Sequence, residues 1–135
     1  QQAEAQFRQH QDLETFGHRR ALAQLLLARG DSADLPEALA LMEADLKVRQ
    51  DAETLDTHAW ALMRLGHWQE AQASLQTAME QGTRNAVIFY RAGLVEQQLG
   101  NESAASRYFE AAQTVDPIFG PRDQQMWGLE RHRQL

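Results

Sequence analysis

A seven-residue stretch returns in this chain at a fixed distance. Leu65-Gly66-His67-Trp68-Gln69-Glu70-Ala71 is answered by Leu99-Gly100-Asn101-Glu102-Ser103-Ala104-Ala105. Gly66 and Gly100, Ala71 and Ala105, and Ala78 and Ala112 all stand 34 residues apart. A constant period of this size marks an array of like units, each packing only on its neighbours. Such an array has no single central core, and its residues recur by role rather than by exact identity.

The unit is helical. Ala, Leu, Gln, Glu and Arg dominate, and all favour helix. β-branched residues are scarce, and no stretch alternates with period two. Pro36, Pro117 and Pro121 are the three prolines, and none interrupts a periodic segment. The pattern predicts a helix over Gln1 to Leu13 and a second over His18 to Arg29, closed by Gly30. A third begins at Pro36, whose missing N–H costs nothing in a first turn, and runs to about Gln50. Further helices are expected over Ala52 to Leu65, Trp68 to Gln81, Asn85 to Leu99 and Glu102 to Val115, with an eighth opened by Pro121. Glycine ends the first helix of each pair at Gly30, Gly66 and Gly100. Helices of this length joined by a few residues pack antiparallel. The alanines at 71, 78, 105 and 112 let backbones approach, with Leu75 and Phe109 as the bulky fillers between them.

Charge and composition narrow the function. Hydrophobic residues make up 43% of the 135, enough for a core. The formal net charge is −6, with no basic stripe to replace the counterions of a nucleic acid. Nucleic acid is therefore not an expected partner. No apolar run approaches the roughly 20 residues that cross a bilayer, so direct membrane insertion is not expected either. There are no cysteines, which excludes disulfides and thiolate chemistry. The chain begins at Gln1 with no basic-then-apolar leader, as a processed form or a piece of a longer protein would; cytoplasm and bacterial periplasm both fit.

The residues resemble the tetratricopeptide repeat family, whose unit is a 34-residue helix–turn–helix. Ala59 and Gly93 match its small residue in the first helix. Ala71 and Ala105, then Ala78 and Ala112, match those of the second. Trp68 matches the aromatic after the turn, and Pro117 the terminal proline. The resemblance implies an all-α, right-handed superhelical solenoid of antiparallel helix pairs. It divides the chain into an orphan helix over 1–15, an irregular unit over 16–51, regular units over 52–85 and 86–119, and a capping helix over 120–135. The order is also similar to the C-terminal part of some bacterial repeat proteins. Departures are His58 in place of leucine, Asp45 in place of alanine, Glu96 and Glu102 in place of large apolar residues, and Thr83 in place of proline.

In that family the first helices line a concave face. The resemblance thus implies a groove walled by Arg20, Gln24 and Leu27, by Glu53, Asp56, Trp60, Met63 and Arg64, and by Tyr90, Leu94, Gln97 and Gln98. Asp56, Trp60 and Met63–Arg64 step by four and three, which sets them on one helical face. Trp60, Tyr90 and Arg64 are the residue types that anchor interfaces, and Met63 is a pliable contact. Two placements stay open for Trp60, groove or helix-pair core; Trp68 is expected in the core. His58 is expected as a core-edge histidine with one hydrogen bond.

Catalysis finds little footing. The serines lie in no nucleophile-elbow motif, and the histidines form no H-E-x-x-H pair. No cofactor or metal is expected. The expectation is a non-enzymatic scaffold that binds a peptide or protein segment in the concave groove. The alternatives are a self-assembly module, self-associating through the terminal helices and the exposed solenoid ends, and an accessory domain of a larger enzyme or of a secretion or assembly complex.

Overall fold

The computed structural model describes residues 18–118. These fold into six α-helices: α1 (His18–Arg29), α2 (Leu35–Leu46), α3 (Ala52–Arg64), α4 (Trp68–Glu80), α5 (Ala86–Gln98) and α6 (Glu102–Val115), with a 3-10 turn at Ser32–Asp34 between the first two. No strand occurs among the described residues. The helices expected over Gln1 to Leu13 and from Pro121 lie outside them.

Local chemistry sets the ends. The Asp31 side chain accepts from Ala33 N–H and starts the 3-10 turn. Asn85 accepts from Val87 and Ile88 N–H, capping α5 at 2.8 and 3.2 Å. Gly66 and Gly100 adopt φ of +80° and +84°, the left-handed region that a Cβ disfavours. There the N–H of His67 returns to Leu62 C=O and that of Gly66 to Met63 C=O; Asn101 to Glu96 and Gly100 to Gln97 are the same two bonds one period later. Both turns therefore use carbonyls that a helix end would otherwise leave bare. The helix expected to run from Pro36 to about Gln50, α2, stops at Leu46. Val48 and Arg49 N–H both turn back to Asp45 C=O, while the Arg49 side chain grips the Asp45 carboxylate at 3.1 Å.

Each helix packs on the next: α1 on α2, α3 on α4 and α5 on α6, with α2 on α3 and α4 on α5 joining the pairs. The first helices also touch one another, α1 against α3 and α3 against α5. Two apolar clusters result. One gathers Leu22, Leu26, Leu27, Ala38 and Met42 around Trp60 and Ala61. The other runs through α3 to α6, with Ala59, Leu62, Ala71, Leu75, Ala78, Ile88, Val95 and Ala112. Gly93 lies directly under the Phe109 ring: a Cβ there would come within 2.6 Å of Phe109 Cδ1. One period earlier the large and small partners are Leu75 and Ala59. Trp68, expected in the core, is half-buried and packs against the edge of the larger cluster.

Two departures from the repeat pattern, Glu96 and His58, are polar groups taken into the helix packing, and Glu96 is the one whose hydrogen bonds are complete. Glu96 is buried, and its two oxygens accept from Gln72 Nε2 and Asn101 Nδ2, both at 2.8 Å. It thereby ties α5 to α4 and to the turn before α6. His58 forms the one hydrogen bond expected of it, Nδ1 to Ser74 Oγ at 2.7 Å.

Candidate functional site

The contacts of α1 with α3, and of α3 with α5, leave a cleft of about 220 Å³ on their shared side. Gln24 of α1, Glu53, Asp56 and Thr57 of α3, and Asn85, Val87 and Ile88 at the head of α5 line it. Three successive first helices thus contribute to one concavity.

A relay of hydrogen bonds fixes its walls. Gln24 Nε2 donates to Thr57 Oγ1 at 3.1 Å, and Thr57 Oγ1 donates to Glu53 C=O at 3.0 Å. At the rim, Arg20 Nη1 reaches Asp51 Oδ2 at 3.1 Å and Thr54 Oγ1 at 3.3 Å, while its Nη2 lies 3.4 Å from Glu53 Oε2. Burial pushes the Asp51 carboxyl up, but the Thr54 hydroxyl and Arg20 outweigh it and hold the group below the ordinary carboxylate value. On the inner side, Asp56 Oδ1 stands 3.2 Å from Arg91 Nε. The Arg91 side chain is 1% exposed and Asp56 14%. Burial drives the two in opposite directions, Asp56 up and Arg91 down, each toward its neutral form, and each charge partly restores the other. The Arg91 guanidinium also lies 4.5 Å over the Trp60 ring. The cleft floor is thus braced through Asp56, Arg91 and Trp60.

The expected groove residues divide into two groups. Arg20, Gln24, Glu53, Asp56, Gln97 and Gln98 keep accessible surface, as does Arg64. The expectation that Leu27, Trp60, Met63, Tyr90 and Leu94 line the groove needs correction, because all five side chains are buried. The cause is packing within and between the helix pairs: Leu27 and Trp60 join the cluster with α2, and Met63, Tyr90 and Leu94 join the cluster formed with α4 and α6. Trp60, 3% exposed, takes the core placement, between the α1 cluster and Arg91. Tyr90 packs on Phe109 with ring centroids 4.8 Å apart. Arg64 is exposed but committed: its guanidinium donates to Leu27 C=O and Gly30 C=O at 3.3 Å each, closing the end of α1.

Sequence reasoning missed Thr57, Asn85, Val87 and Ile88 as lining residues, and it did not pair Arg91 with Asp56. One signal for Arg91 exists. It is the sole charge in the run Ala86–Val95, and a charge within an apolar helix face needs a counter-charge. Among the described residues no group of three His, Cys, Asp or Glu side chains is placed to hold a metal ion, and no helix is long and apolar enough to cross a membrane. No family model, curated protein or solved structure matches the chain.

Proposed function

We propose that this chain is a non-enzymatic scaffold of the tetratricopeptide-repeat type, a right-handed solenoid of antiparallel helix pairs that receives a peptide or protein segment on its concave, first-helix side. The observation that carries the reading is the cleft shared by α1, α3 and α5, whose polar walls are braced by hydrogen bonds between successive first helices. A wall fixed before binding spares the complex the ordering cost of a mobile one. In this reading Gln24, Glu53, Gln97 and Gln98 meet the segment, while Leu27, Trp60, Met63, Tyr90 and Leu94 keep the wall rigid from behind. The repeated glycine turns and the paired small and large residues at 59/75 and 93/109 support the solenoid geometry.

The test is capture of peptides from an unbiased displayed library by the immobilised full chain. Replacing both Gln24 and Gln98 with alanine should weaken captured peptides about tenfold, from the loss of two hydrogen bonds of about 0.5–1.5 kcal/mol each. The circular dichroism of that variant should be unchanged. Captured peptides that bind the variant as tightly as the native chain would refute the groove as the binding face.

A further inference from the structure

The cleft between α1, α3 and α5 has a definite chemical character. Among the described residues, its only charged lining groups are Glu53 and Asp56. The neighbouring cations stand outside that lining. Arg20 is at the rim, already engaged with Asp51 and Glu53, and Arg91 lies beneath the wall at 1% exposure. Around the cleft Asp51, Glu53 and Asp56 face Arg20 and Arg91, and Arg49, itself paired with Asp45, also acts on Asp51; four carboxylates against three guanidinium groups leave one negative charge over. The neutral polar groups are partly occupied among themselves. Gln24 donates to Thr57, Thr57 donates to the backbone, and the Asn85 oxygen holds two N–H groups. What the lining chiefly offers a visitor is carboxylate oxygen.

Shape agrees with charge. A volume of about 220 Å³ falls below the roughly 300–1,000 Å³ of small-molecule sites and suits one long side chain. Val87 and Ile88 form an apolar flank, the surface along which the methylene stem of a lysine or arginine packs while its head stays polar. Glu53, with 69% of its side chain exposed, stands where an arriving cation meets it first; Asp56 is the deeper acceptor, oriented by Arg91. The chain's net charge of −6 draws basic partners from a distance.

We infer that this cleft seats a lysine or arginine side chain of the bound segment, so that the partner is a basic peptide or a basic stretch of a protein. The inference rests on the groove reading above and adds its chemical class. The test uses the full chain and a small probe. Methylguanidinium chloride is titrated at constant ionic strength against sodium chloride, with amide NMR shifts as the readout. Saturable shifts are expected at Gln24, Glu53, Asp56, Thr57 and Asn85, and not with sodium chloride. Glu53→Gln, at an exposed site that leaves the fold intact, should weaken the probe a few-fold. Asp56→Asn should weaken it about tenfold, the scale of one charged hydrogen bond, and Glu53→Lys should abolish binding even if Asp56→Asn fails to fold. No saturable shift at these amides, or equal affinity in Glu53→Gln and Glu53→Lys, overturns the inference. Peptides captured through Gln24 and Gln98 without any methylguanidinium response would sink the cationic class and keep the groove. Methylguanidinium saturation with no peptide captured would keep the pocket and sink the groove.

Discussion

Gly93 shows how one absent side chain sets a distance between helices. Within α5 an alanine would ordinarily be worth about 1 kcal/mol over glycine. Here the Phe109 ring occupies the place of the missing methyl. Ring or backbone would have to move, and overpacking of that kind costs about 1–3 kcal/mol. Gly93→Ala should therefore lower stability in urea titrations despite its better helix propensity. Gly93→Ala with Phe109→Leu restores the alanine–leucine combination found at 59 and 75, and should recover most of the loss. A Gly93→Ala variant more stable than the native chain would show that Phe109 is free to swing aside. The Asp56–Arg91 pair follows the opposite logic. Both charges are withdrawn from water, so either one left alone inside would be far costlier than the intact pair.

Helix ends and helix partners differ in how far residues announce them. The C-terminal ends of α1 and α6 were legible outright, because glycine at 30 and proline at 117 punctuate strongly and act locally. The paired turns at Gly66 and Gly100 were legible for the same reason: only glycine enters that φ region freely. The burial of Trp60, Tyr90 and Leu94 was not. A 3.6-residue period tells which residues share a side, but not which neighbouring helices cover that side. Nor could the Asp56–Arg91 pairing be read, since charges on two different helices leave no periodic trace.

His58 belongs to this scale, because it joins three helices: Ser74 of α4 at 2.7 Å and Glu43 of α2 at 3.9 Å. Burial holds its pKa below the usual imidazole value, and Glu43 and Glu70 only partly reverse that. A lowered folded-state value means that the unfolded chain takes up the proton first. Stability is then intact above the unfolded-state value of about 6.5 and is lost as pH falls through the folded-state one. Urea midpoints should drop between about pH 7.5 and pH 5.5, and His58→Leu with Ser74→Ala should flatten that part of the curve. An unaltered slope in the double variant would assign the acid response to other groups.

For the molecule as a whole, the proposed scaffold role requires that stacked helix pairs leave the first-helix side free to receive another chain. Hydrogen–deuterium exchange of the full chain, with and without a captured peptide, tests this most directly. The predicted result is slowed exchange concentrated in α1, α3 and α5, centred on Gln24, Glu53–Thr57 and the Asn85 cap, with α2, α4 and α6 little changed. Protection concentrated in α2, α4 and α6, with the first helices unaffected, would contradict it.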